Sequence, residues 1–184
     1  NIPFAHRGLH DCGGYFGCGK TENSFSSFKS AINAGYGIEL DLQLSRDGVP
    51  IVFHDKSLKR LTKVDKNVNE LEIKSLKQLR LPNNETIPTF DEVLDLVAGQ
   101  VAVLVELKDQ DSFRGLHSGR LESEVAVALR RYNGPIAVMS FNPYSIKEFG
   151  LLLPNIPRGL VTEAFEIADW PELDTKTLNN LRSL

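Results

Sequence analysis

The chain lacks any apolar run long enough to cross a membrane. Its longest, such as Val101 to Val105, fall far short of the roughly 20 residues a helical span requires. It also lacks an excess of positive charge: 21 Lys and Arg stand against 24 Asp and Glu, a formal charge of −3 with a pI near 5.8. No global basic field therefore argues for nucleic acid or an anionic membrane surface. Cysteine is scarce. Cys12 and Cys18 are the two present, six positions apart in a glycine-rich segment and without His neighbours at zinc spacing. They fit a disulfide or a metal clip, and two reduced thiols in a mobile loop are the plainest reading; so small a pair does not identify a compartment. No basic leader followed by an apolar stretch opens the chain, so we expect no signal peptide in these residues and a cytoplasmic setting. The first residue is Asn1 rather than Met, which implies a trimmed or processed start. No internal repeat or low-complexity tract is seen.

What is present suits one domain. With 184 residues and 41% hydrophobic content, the chain can bury one substantial core, and residues 1–184 are expected to form a single unit. Ile2 to His6 is a short apolar run ending in His-Arg-Gly. Phe25, Phe28 and Ile32 recur at helical spacing, Gly35 and Gly37 end that helix, and Ile38 to Leu44 reads as a strand. Asp47-Gly48 is a turn signal followed by Val49 to His54. Residues 56–88 break the alternation and form a charged insertion with a short helix around Leu71 to Leu79. Thr89 and Glu92 make a capping box for a helix over Phe90 to Val97. Val101 to Leu107 is nearly all apolar, as in a parallel strand buried on both faces. Helix 121–132, strand Ile136 to Phe141, helix 143–152 and strand Gly159 to Thr162 complete an alternating βα pattern, which implies a parallel sheet, barrel or doubly wound.

The informative residues are the charges that interrupt these strands. Glu39 and Asp41 are two apart in one strand, so both carboxylates point to the same face. In a buried sheet they repel each other unless a cation sits between them. The competing reading is a solvent-facing antiparallel edge strand. Val101 to Val105 runs directly into Glu106-Leu107-Lys108, where Glu106 and Lys108 share a face at the end of the strand at which barrel enzymes place their chemistry. An ordinary ion pair is the plainer reading of those two alone. His6 and His54 also close strands, and as two imidazoles with intrinsic pKa near 6.5 they suit an acid and base pair. His10 and His117 fall in loops and receive no role. Three carboxylates make a hard-oxygen site for Mg²⁺ or Ca²⁺, and Arg7 and Lys108 are cations for a phosphate. The set reads as metal-assisted phosphoryl transfer.

In their order along the chain, these residues resemble the glycerophosphodiester phosphodiesterase family. The motifs are His6-Arg7-Gly8, Glu22-Asn23-Ser24, Glu39-Leu40-Asp41, Asp47-Gly48, Val52-Phe53-His54-Asp55 and Glu106-Leu107-Lys108. Leu58, Arg60, Thr62, Ile87-Pro88-Thr89-Phe90 and Ser140-Phe141 add to them, so the likeness covers roughly residues 2–162. Each motif alone is weak; the ordered set is specific. The resemblance implies a TIM (β/α)8-type barrel, incomplete here with about six strands and carrying a small insertion, 56–88, after the third. It implies His6 and His54 as the catalytic acid and base, Glu39, Asp41 and Glu106 as ligands of a divalent metal, Mg²⁺ or Ca²⁺, and Arg7 and Lys108 as phosphate contacts. The activity implied is cleavage of a glycerophosphodiester to glycerol 3-phosphate and an alcohol. The metal there lowers the pKa of a coordinated hydroxyl, so that the glycerol 2-hydroxyl or a water becomes a better nucleophile. The sequence departs from the family in having Thr21, where proline is usual, before Glu22-Asn23, and in its glycine-rich loop from Leu9 to Lys20.

The partner expected is therefore a small-molecule glycerophosphodiester, with no nucleic acid and no stable membrane insertion; the oligomeric state is not legible. Two rival readings carry other expectations. A spider-venom-type phospholipase D would form cyclic phosphate from lipids, and a non-catalytic phosphate-binding barrel would have lost a His or a carboxylate. Residues 56–80 hold eight Lys or Arg against three Asp or Glu, a local field for drawing in anionic phosphodiesters or a solvated surface. Asp174 to Leu184 reads as helical. A (β/α)8 barrel takes about 250 residues, so roughly two further βα units are expected beyond Leu184, or a partner chain in their place.

Overall fold

The computed structural model describes residues 2–11, 19–108 and 119–162, with isolated positions 175, 176 and 179. Cys12, Cys18 and His117 lie outside the described residues, as does most of the helix expected over 174–184. Six strands form one sheet: β1 (Phe4–Ala5), β2 (Gly37–Leu44), β3 (Pro50–Val52), β4 (Val103–Leu107), β5 (Ile136–Ser140) and β6 (Arg158–Leu160). The helices are α1 (Phe25–Asn33), α2 (Lys59–Thr62), α3 (Ile73–Leu76), α4 (Phe90–Val97), α5 (Arg120–Leu129) and α6 (Pro143–Leu152).

The parallel path runs β1-β2-β4-β5-β6, while β3 pairs antiparallel with β2. Simple βα alternation would have made 49–54 another parallel strand. The connection from Leu44 to Pro50 forbids it, because a parallel crossover needs a dozen or more residues. The chain reverses instead through Ser45 to Val49, with Gly48 at φ 90° and Ser45 N–H donating to the Val49 carbonyl. Among the described residues the six strands thus divide into five on the barrel-type parallel run and β3 beside it. Among the described residues β1 and β6 end that run, so the sheet is open, and all three residues of β6 are exposed.

Alternation along β2 sorts its residues to two faces. Ile38, Leu40, Leu42 and Leu44 join Phe28, Phe90, Val93, Val97, Val125 and Phe149 in the main apolar core beneath the helices. Glu39, Asp41 and Gln43 take the other face and are buried as well. The α4 start is fixed by the expected capping box: Thr89 accepts from Glu92 N–H, and Glu92 accepts from Thr89 N–H.

The insertion is more than a charged surface. Ile51, Phe53, Leu58, Val68, Leu76, Leu81 and Ile87 form a second buried apolar cluster, so this segment folds around its own small core against β3. The expected helix at Leu71 to Leu79 is only the short turn α3, preceded by α2 and a 3-10 turn over Val68–Glu70. Lys77 ties the insertion back to α4 through Glu92, at 2.6 Å.

Candidate active site

The site is built where β1, β2 and β4 end their parallel run. β2 and β4 are in register so that Asp41 pairs with Glu106, and Glu39 lies two residues back on the same face. One carboxylate oxygen from each of Glu39, Asp41 and Glu106 lies within 4.8 Å of the others, and all three residues are buried. The strand ladder thus brings the three expected carboxylates together.

The turn after β1 delivers two more of the expected residues. Arg7 and Gly8 both adopt left-handed backbone, φ 56° and 81°, and a Cβ at Gly8 would collide with Ser27 of α1. That turn aims Arg7 N–H at Glu39 Oε2, 2.9 Å away. The His6 ring sits 4.0 Å from the same oxygen and is 71% exposed. What burial His6 has, and then the adjacent Arg7 charge, lower its pKa below the ordinary value.

The two expected phosphate cations are already engaged with the carboxylates. Lys108 Nζ lies 2.6 Å from Glu106 Oε1 and 3.0 Å from Asp41 Oδ1. Burial would lower the Lys108 pKa, but Asp41 and Glu106 more than offset it, so the ammonium is held charged. Arg7 Nε lies 3.6 Å from Asp41 Oδ2, too far for a good hydrogen bond, and its Nη1 donates to Glu22 at 3.1 Å.

Two positive charges against three buried carboxylates leave a deficit, and it falls on Glu39. Burial first, and then the charge of Asp41, push its pKa up to about 7. Arg7 Nε and Asn23 Oδ1 are also buried without a hydrogen-bond partner. Hard oxygen donors, close spacing and an uncompensated carboxylate together fit a divalent cation. Glu39, Asp41 and Glu106 are the residues that would hold it. A second acidic group, Glu22, His54 and Asp55, has ligand spacing too, but the Arg60 guanidinium already lies among its carboxylates.

His54 is held by its neighbours. Its Nδ1 lies 2.9 Å from Asp55 Oδ1. Burial alone would raise the Asp55 pKa, but hydrogen bonds from His54 and Arg60 overcome it and hold Asp55 far below the usual carboxylate range. An ionised Asp55 can only accept, so Nδ1 carries the proton and Nε2 of the neutral ring keeps its lone pair. Gln43 fixes the backbone beneath, its Nε2 reaching the carbonyls of Phe53, His54 and Asp55 at 2.8, 3.1 and 2.8 Å.

Five residues of this arrangement received no role from the sequence: Glu22, Asn23, Gln43, Asp55 and Arg60. Asn23, at φ 52°, donates Nδ2 to Asp41 at 2.8 Å. Gln43 carried a readable signal, as the third polar residue at alternating positions of an otherwise apolar strand. The pairings of Glu22 and Arg60 span 38 residues and left no local pattern.

Carboxylates and imidazoles gathered at the strand ends of a parallel sheet occupy the place where barrel-type folds carry their functional sites. Comparison with known proteins narrows this. A profile of the glycerophosphoryl diester phosphodiesterase family matches residues 6–181, and the chain belongs to that family. The match reaches beyond the 2–162 legible in the motifs. The chain is 30% identical over 159 residues to a glycerophosphodiester phosphodiesterase of Caldanaerobacter subterraneus subsp. tengcongensis, covering 81% of this chain and 64% of that one. It is 29% identical over 185 residues to one from Bacillus altitudinis, covering 95% and 71%. The chain thus spans about two thirds of the length of these curated relatives. Among solved structures, an Oleispira antarctica phosphodiesterase in complex with the product sn-glycerol-3-phosphate superposes with a TM-score of 0.77 at 25% identity, covering all of this chain and 81% of that one. A glycerophosphodiester phosphodiesterase from Agrobacterium tumefaciens gives a TM-score of 0.71 at 24% identity, over 85% and 64% of the two chains.

Proposed function

We propose that the protein hydrolyses glycerophosphodiesters to glycerol 3-phosphate and an alcohol, with a divalent metal as cofactor and His6 and His54 exchanging protons with the reacting groups. The observation that carries the reading is the convergence of Glu39, Asp41 and Glu106 within 4.8 Å at the ends of adjacent parallel strands. Family membership and the glycerol 3-phosphate named for the Oleispira antarctica structure support the substrate class.

A divalent cation held by the three carboxylates, Mg²⁺ or Ca²⁺, supplies Lewis-acid polarisation and charge neutralisation for the phosphodiester. The remaining work falls to the chain's own side chains. His54, with its proton fixed on Nδ1, offers Nε2 as a base or, once protonated, as an acid. His6 stands by Glu39 on the other strand end, with a lowered pKa that keeps it neutral and able to accept a proton near pH 7. Lys108 and Arg7 hold positive charge against the carboxylates and are positioned to meet a phosphate anion arriving at the same face.

The test is release of glycerol 3-phosphate from glycerophosphodiesters with different head groups. Turnover should stop with EDTA and return with Mg²⁺ or Ca²⁺. Accumulation of a cyclic phosphate would transfer the protein to the phospholipase D-like reading. No turnover of any head group with either metal would leave a phosphate-binding barrel.

A further inference from the structure

Arg60 belongs to the insertion, not to a barrel strand, yet four of its hydrogen bonds reach the site. Its Nε donates to Asp55 Oδ2 at 2.6 Å and its Nη2 to Asp55 Oδ1 at 2.9 Å. The other side of the guanidinium meets Glu22: Nη1 donates to Oε2 at 2.9 Å and Nη2 to Oε1 at 2.7 Å. One planar cation is thus bidentate to two carboxylates, a geometry lysine cannot reproduce. Each carboxylate has a second partner in the proposed machinery. Asp55 holds His54 Nδ1 at 2.9 Å, and Glu22 accepts from Arg7 Nη1 at 3.1 Å. Glu22 and Asp55 are mostly buried, their side chains 12% and 24% exposed. Without a cation between them they would repel each other and the two residues they orient would lose their anchor.

We propose that Arg60 is a positioning residue through which the insertion sets the geometry of both His54 and Arg7, by clamping Asp55 and Glu22 in one bidentate pair. The proposal rests on the function argued above only for its kinetic consequence; the geometry stands on its own. It makes residues 56–88 part of the active site. The second apolar cluster fixes α2 and so fixes Arg60: Leu58, immediately before α2, is fully buried in it, and Leu61 packs against it.

The experiment uses the full chain, nitrogen-labelled at histidine, in wild-type form and as Arg60→Met and Arg60→Lys. In the wild type, long-range proton–nitrogen NMR at a pH where the ring is neutral should show His54 protonated on Nδ1. A wild-type Nε2–H tautomer would overturn the proposal without any variant. Arg60→Met should give mixed His54 tautomers and a kcat lower by about 10- to 100-fold, the scale of a reacting group displaced by about 1 Å. Calcium affinity, read by calorimetry, should stay within about two-fold of wild type. Arg60→Lys, with one ammonium for two carboxylates, should fall between. Wild-type tautomer and kcat in folded Arg60→Met would refute the clamp. If the wild type itself turns over no glycerophosphodiester, the proposed function fails, while the tautomer comparison still decides the clamp.

Discussion

Glu39→Gln should make the metal-free protein more stable at alkaline pH while removing its response to metal. The carboxylate is buried beside Asp41, and its pKa rises from 4.5 to about 7. At about 1.4 kcal/mol per unit, that rise corresponds to something on the order of 3 kcal/mol. Because the folded-state pKa lies above the unfolded one, the folded protein binds the extra proton between the two values. The contribution is therefore present in full below about pH 4.5 and lost as pH rises through about 7. Glutamine is isosteric, has no charge to bury and can still accept from Arg7 N–H. In EDTA, wild-type stability should carry this downward slope between pH 5 and 8, and Glu39→Gln should lack it. For a chain of this size the gap at pH 8 should amount to a Tm difference of about 6–12 °C in favour of the variant. Added Mg²⁺ or Ca²⁺ should reverse the order once it is near saturating, since metal at about a thousand times its Kd stabilises wild type alone by about 4.1 kcal/mol. Thermal unfolding at pH 5 and pH 8, with and without metal, reads all four states. A variant equally destabilised at both pH values, or one that metal stabilises as strongly as wild type, would refute the reasoning.

Replacing His6 or His54 by Ala should each lower kcat/KM by about 10²- to 10⁴-fold, and the wild-type profile against pH should be bell-shaped; activity within a few-fold of wild type removes that residue from proton transfer. Neutralising Lys59, Lys63 and Lys66 should raise KM and flatten its dependence on salt if the insertion steers anions. The effect should be small, because Lys59 already pairs with Asp65, and an unchanged KM would assign these residues to a solvated surface. Leu76→Ala, in the apolar cluster of the insertion, should cost about 2–5 kcal/mol in urea unfolding. A loss under 1 kcal/mol would mean that the insertion is not packed as described.

Legibility followed sequence separation. Period-two alternation put Glu39 and Asp41 on one face, and the buried run ending at Glu106 marked a strand end, so the carboxylate set could be assembled from local patterns. The capping box at Thr89 and Glu92 was equally local. The antiparallel β3 was missed because Val49 to His54 has the composition of a parallel strand; the shortness of the preceding turn was the overriding constraint. The core of the insertion was masked by its lysines, since Leu58, Val68 and Leu76 are spaced irregularly and meet only in three dimensions. Arg60 and Glu22 meet across 38 residues, and no periodicity reports such a contact. Lys108 was read as a phosphate contact from its position, whereas its ammonium also bridges Asp41 and Glu106.

Phosphorus NMR of the protein turning over a glycerophosphodiester in ¹⁸O-labelled water bears most directly on the metal-dependent hydrolysis. A glycerol 3-phosphate signal should grow with the isotope shift of an oxygen taken from water, vanish when EDTA is added and return with Mg²⁺ or Ca²⁺. Turnover that continues unchanged in EDTA, or a protein that with either metal leaves every diester intact, would contradict it.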